Sequence, residues 1–190
     1  AGVTSIGFLA GFWVIYDLIC RVFGDRKRGD HIVAVLVLIV VAISCWLATH
    51  LFAGRAAFLI VGAMIATTMT LNVFFVIIPG QRKVVAAMTS GQPYDPASLA
   101  IYGRHGKQRS VHNTYFTLPV IITMISNHYG FLYAHAHSWL VLFAIMVAGA
   151  LVRQYFVGRH AYHLGRGRNP LPFALVGIVV VAALVVWMRP

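Results

Sequence analysis

The sequence predicts an all-α fold: a polytopic membrane helical bundle of about six transmembrane helices. Two observations predict it directly. Hydrophobic residues make up 60% of the 190-residue chain and charged residues only 10%, against about 25% charged in a soluble domain. The apolar residues also fall in long continuous runs rather than in the alternating segments of about ten residues that a membrane β-barrel needs. A third observation orients the bundle. Thirteen of the fifteen basic residues fall in the connections after the first, third and fifth runs, leaving Arg55 and Arg189 for the other side. Basic loops face the cytoplasm, so both termini are expected outside.

A spanning helix takes about 20 mostly apolar residues. The runs that qualify are 4–22, 31–52, 56–78, 112–129, 138–156 and 171–188, read as one transmembrane domain over 1–190. Pro79-Gly80 reads as the stop of the third run. Pro170 and Pro172 lie at the start of the sixth, where a missing N–H costs nothing. The connection 79–111 is long for a loop. Within it, 84–88 reads as a short amphipathic helix stopped by Gly91. Residues 92–96 read as a turn, and 97–102 as another helical turn. Such a segment fits either the headgroup layer, with Arg82 and Lys83 on anionic lipid, or a lid over a site.

Net charge is +11, from four acidic and fifteen basic residues. In a soluble protein that balance would suggest nucleic acid; here membrane topology accounts for it, and no nucleic-acid partner is expected. Cys20 and Cys45 form neither a Cys-x-x-Cys pair nor a haem-attachment motif, and read as buried thiols. The chain opens at Ala1 without the basic start or cleavage signature of a signal peptide. Further membrane segments are expected to precede it.

Asp17 is the one acid inside an apolar run. With Arg21 one turn on, it reads as a structural ion pair, the alternative being a proton or substrate contact. Nine histidines offer haem ligation by facing imidazoles, with His50 and His128, or His112 and a neighbour, as the candidate pairs. His135 and His137 could touch a metal but lack a carboxylate nearby, so no metal site is assigned. The fourth run is the most polar. Positions 113, 117, 120, 123, 124 and 127 trace one stripe at helical spacing, with Pro119 in its middle able to bend the helix. Asn113 and Asn127 on that stripe are costly to bury unpaired. Arg82, Lys83 and Arg109 at the basic end would attract an anion.

Several of these stretches together resemble a known family. They are Trp13-Val14-Ile15-Tyr16-Asp17, Phe52-Ala53-Gly54-Arg55, Val61-Gly62-Ala63-Met64, the run from Asn72 to Pro79-Gly80-Gln81-Arg82-Lys83, Lys107-Gln108-Arg109-Ser110-Val111-His112-Asn113, Thr117-Leu118-Pro119 and Ser126-Asn127-His128-Tyr129. The chain resembles the membrane domain of bacterial membrane-bound urate oxidases, or urate hydroxylases, in which a C-terminal cytochrome c follows the membrane part. On this resemblance, the family's first membrane segments and its cytochrome are expected to lie outside these 190 residues. The resemblance implies oxidation of urate to 5-hydroxyisourate, with electrons passed to an external cytochrome c. It makes Arg82, Lys83, Arg109, His112, Asn113, Asn127 and His128 site candidates without fixing a role for any; by their chemistry, Arg82, Lys83 and Arg109 are expected to bind the substrate and His112, Asn113, Asn127 and His128 to serve catalysis. The alternative expectation is a non-catalytic accessory subunit of a larger respiratory or photosynthetic electron-transfer complex.

Overall fold

The computed structural model describes residues 2–91 and 93–189. It is helical throughout, with no strand among the described residues. The helices are α1 (Gly2–Phe23), α2 (Gly29–Leu51), α3 (Gly54–Asn72), α4 (Ile78–Thr89), α5 (Pro96–Ile125), α6 (Gly130–Ala134), α7 (Ser138–His163) and α8 (Leu171–Trp187). A five-residue π-helical turn, Val73–Ile77, joins α3 to α4 without a break, and a 3₁₀ turn, Ser126–His128, closes α5.

Helix α3 is central, packing on α1, α2 and α5, and α7 carries α8 against its side. The core is the inner stripe of each helix: Phe12, Tyr16 and Cys20 from α1, Val33, Val37, Val41 and Cys45 from α2, Phe58, Val61, Met64 and Ile65 from α3, and Val141, Leu142 and Met146 from α7. The outer faces stay apolar and exposed, α8 above all. Exposed apolar surface on that scale needs a covering medium. Among the described residues, four helices are long and apolar enough to cross a membrane: α1, α2, the continuous Gly54–Thr89 helix and α7. Helix α8 is apolar but has 17 residues, and the first half of α5 carries Arg104, Lys107 and Arg109.

The expected loop 79–111 is corrected. Pro79-Gly80 does not stop the third helix, which continues to Thr89. A proline inside an α-helix clashes with the carbonyl four residues back and leaves it without a donor. The π turn just before Pro79, in which Ile78 N–H reaches back to Val73 O, is a wider turn of the kind that accommodates such a break. The 84–88 segment is thus the end of a long helix, not a separate one, although it does end before Gly91, whose φ is 67°. Gln92, in the expected turn, lies outside the described residues. The 97–102 turn is the start of α5, whose first backbone N–H groups are capped by the Asp95 carboxylate through Ala97 and Ser98. The helix that holds the fourth run therefore begins at Pro96, ahead of the run itself.

Close approach of α3 and α5 depends on Gly62. A Cβ there would collide with Thr123 Oγ1. Polar contacts then tie α5 to α7: Arg153 Nε donates to Thr114 O at 3.2 Å, and Tyr115 bonds Gln154.

Candidate functional site

Where α1, α3 and α5 cross, the structure buries a polar cluster in an otherwise apolar core. Helical spacing puts Trp13, Tyr16 and Asp17 on one face of α1. Asn72 is the last residue of α3, immediately before the π turn. Arg109, His112 and Asn113 are offered by one turn of α5. Tyr16, Asn72 and Arg109 are all buried.

Tyr16 is the hub. Its hydroxyl lies 2.8 Å from His112 Nδ1 and accepts from Asn72 Nδ2 at 3.2 Å. With Asn72 donating, the phenol proton points to His112, so Nδ1 accepts and the neutral ring carries its own proton on Nε2. Asn72 Nδ2 spends its second proton on Asn113 Oδ1 at 2.9 Å, and Asn113 Nδ2 donates to Met69 O at 3.0 Å. The Arg109 guanidinium lies over the Tyr16 ring, 4.8 Å from its centre. Its Nη2 donates to Asp17 Oδ1 at 2.7 Å. Asp17 also takes Arg21 Nε at 2.6 Å. The expected Asp17–Arg21 pair is therefore present, but Arg21 is largely solvent-exposed and the buried partner is Arg109. One carboxylate between two guanidiniums leaves one positive charge in excess.

Among the described residues, four buried side-chain polar atoms have no partner: Trp13 Nε1, Asn72 Oδ1, Arg109 Nη1 and Asn127 Oδ1. Buried polar groups are nearly always paired, so each calls for an explanation. Asn72 Oδ1 and Arg109 Nη1 belong to the Tyr16 crossing, and Trp13 Nε1 lies one turn earlier on α1, with the indole against Phe75. They are two donors and one acceptor.

The other expected site residues lie elsewhere. Arg82 and Lys83 are exposed on α4, where Lys83 Nζ stacks on the Tyr102 ring and reaches its hydroxyl at 3.4 Å. Asn127 and His128 occupy the 3₁₀ turn at the far end of α5, about 20 Å from His112 at 1.5 Å per residue. The polar stripe of α5 holds for Asn113 and Thr123, but Met124 points outward. His50 Nδ1 bonds Trp46 O at 2.7 Å and its ring lies on Trp46. Helix α2 packs on α1, α3 and α7, whereas the Asn127–His128 turn packs on α3, α5 and α6. His50 and His128 thus lie on elements that share α3 as a neighbour and otherwise pack differently. His135 and His137 both lie against Trp187.

Sequence reasoning left Trp13, Tyr16 and Asn72 out of the site. The available signal was their i, i+3 and i+4 register with Asp17 on α1, and an asparagine deep in the third apolar run.

Four helices fit to cross a membrane, with a polar crossing buried among them, are compatible with a membrane protein of the helical-bundle type. The urate oxidase N-terminal family model matches residues 1–189, and the chain belongs to that family. No curated protein and no solved structure matches it.

Proposed function

We propose that the chain is the urate-handling membrane domain of a urate oxidase, one transmembrane domain with six crossings: α1, α2, the Gly54–Thr89 helix, α5, α7 and α8. The basic ends face the cytoplasm of a bacterial inner membrane, and the termini lie outside. Urate and water give 5-hydroxyisourate, two protons and two electrons, and the electrons leave to cytochrome c, one at a time.

One observation carries this reading beyond family membership: the unpartnered donor of Arg109 and acceptor of Asn72 at Tyr16, with the unpartnered Trp13 N–H one turn earlier on α1. Urate is a planar anion whose rim alternates carbonyl acceptors with N–H donors. Arg109 Nη1 and Trp13 Nε1 suit its carbonyls, and Asn72 Oδ1 suits an N–H. The excess positive charge suits the anion. Asn113 holds Asn72 in position. His112, linked through Tyr16, takes the proton that the ring loses on oxidation. Arg82 and Lys83, exposed on α4, raise the local concentration of anion at the cytoplasmic face.

Two surface grooves, of about 230 and 210 Å³, open away from this crossing.

The test is loss of urate absorption in membranes holding the chain, with ferric cytochrome c supplied and its reduction followed in parallel. Two cytochromes reduced per urate consumed, with both signals lost in Arg109→Gln, is the expected result. An embedded, folded chain that consumes no urate would overturn the reading and leave the accessory-subunit role.

A further inference from the structure

The chain has four carboxylates, and each has a defined place. Asp17 lies between Arg21 and Arg109, and Asp25 pairs with Arg104 and His105. Asp30 accepts from Gln108, and Asp95 caps α5. No acidic residue follows Asp95. Yet the connection between α7 and α8 and the helix end before it carry Arg153, Arg159, Arg166 and Arg168. Arg153 turns inward to Thr114 O. The counter-charge for the others has to come from outside the chain.

Arg159 stands in the 210 Å³ groove, with Tyr155, Tyr162, His163 and Asn169 on its walls and Leu171 at its apolar end. The groove exists because α8 starts tight against α7. At Gly158 a Cβ would lie 3.0 Å from the Pro170 ring, and Asn169 Oδ1 fixes the turn by accepting from Leu171 N at 3.0 Å. The Arg159 guanidinium is held over the Phe156 ring, 5.5 Å from its centre.

Depth and direction follow from the helices. Helix α7 has 26 residues, more than the roughly 20 that the hydrocarbon layer takes. Its last turns overshoot into the headgroup layer, where tyrosine is favoured. From Leu171 the exposed residues Leu175, Ile178 and Val179 continue along one face of α8, at the i, i+4, i+7 and i+8 spacing of a single stripe. A charged groove thus opens at headgroup depth onto an apolar track running into the membrane.

We propose that this groove binds the headgroup of an anionic phospholipid, with its phosphate on Arg159 between the two tyrosines and an acyl chain along the α8 stripe. The proposal rests on the membrane-spanning reading above. Unbalanced arginine charge selects an anionic headgroup over a zwitterionic one, and the groove distinguishes a site from a diffuse charge effect.

The experiment is native mass spectrometry of the whole chain released from nanodiscs that mix phosphatidylglycerol and phosphatidylcholine with identical tails. One retained phosphatidylglycerol is expected, with about fivefold weaker retention in Arg159→Gln, the effect of one arginine near anionic lipid. Arg166→Gln removes the same charge from the same connection but outside the groove, and is expected to retain the lipid. Equal retention of the two lipids, or equal losses in the two variants, overturns the site. Displacement of the lipid by inorganic phosphate at matched concentration assigns the groove to a soluble anion and overturns the lipid. Release of the chain from membranes by alkaline carbonate would instead remove the spanning reading itself, and this proposal with it.

Discussion

Arg109 and Asp17 are 92 residues apart in sequence, and Nη2 of one lies 2.7 Å from Oδ1 of the other. Their side chains are 4% and 12% exposed. Asp17 has a second arginine, Arg21, but that side chain is 69% exposed. The two contacts therefore differ in worth. Removing one member of a buried pair leaves the other charge without compensation, at about 3–5 kcal/mol. An exposed i, i+4 pair contributes about 0–1 kcal/mol. Asp17→Asn and Arg109→Gln are expected to lower the thermal midpoint in detergent sharply, and Arg21→Ala to move it little. The double variant Asp17→Asn/Arg109→Gln should recover much of the loss, because neither charge is then stranded. A double variant as damaged as the sum of its singles would show that the pair does not couple.

A second prediction concerns how α3 and α5 meet. Gly62 leaves room for Thr123, which is buried and whose Oγ1 donates to Val120 O at 2.8 Å. Gly62→Ala forces the helices apart, at a cost of about 1–3 kcal/mol typical of overpacking. It also disturbs the Asn72–Asn113 contact further along the same crossing. Thr123→Ala removes the colliding atom. The pair Gly62→Ala/Thr123→Ala should be more stable than Gly62→Ala alone, as measured by thermal unfolding. If the second substitution brings no recovery, Gly62 is not held small by Thr123.

The basic first half of α5 is tied to the α1–α2 connection by Asp25, which meets His105 Nε2 at 2.9 Å and Arg104 Nε at 3.2 Å. The hydrogen bond from His105, with the nearby positive charge, holds the Asp25 carboxyl below its ordinary value of 3.8. A carboxyl depressed on folding binds its proton more readily in the unfolded chain. Its stabilising contribution is therefore present above the ordinary carboxylate range and is lost as pH falls through the depressed value. Asp25 is exposed, so the effect is small. The expected outcome is a midpoint gap between the wild type and Asp25→Asn that is open at pH 6 and closes towards pH 3. A gap that widens on acidification would reverse the sign and refute the assignment.

The sequence made some of this legible and not the rest, for physical reasons. Apolar runs and basic connections report burial and exposure directly, so the all-helical architecture and the polar character of α5 could be read, whereas six runs were expected to span and four helices among the described residues are long and apolar enough to do so. The Asp17–Arg21 contact follows from helical spacing alone. The Asp17–Arg109 contact does not, because spacing within one helix says nothing about which face another helix presents. Pro79-Gly80 shows a second limit. Proline chemistry is local, but whether it ends a helix depends on the turn before it, and the π turn at Val73–Ile77 carries the chain through. The stripe on α5 was right where a neighbouring helix packs, at Asn113 and Thr123. It failed at Met124, which is exposed. Tyr16 was hidden for a related reason. In an apolar run an aromatic reads as core, and only the converging Asn72, Arg109 and His112 make it a hub.

The two ends of α5 set the last prediction. His112 and Asn113 lie at the Tyr16 crossing, and Asn127 and His128 lie about 20 Å away along the helix, so a single bound urate cannot use both sets. With Nδ1 of His112 accepting from Tyr16, His112→Ala removes the group assigned to take the proton. General-base removal lowers turnover by about 10²- to 10⁴-fold, and here the loss should fall on kcat with KM little changed. Arg109→Gln removes the anion contact and should raise KM as well as lower kcat. Tyr16→Phe keeps the ring under Arg109 but cuts the link to His112, and should resemble the histidine variant rather than the arginine one. Steady-state urate consumption in membranes measures all three, with His128→Ala as the comparison from the far end. A loss in His128→Ala as large as in His112→Ala would move the proton-transfer step to the other end of α5 and leave the Tyr16 crossing as a structural polar core.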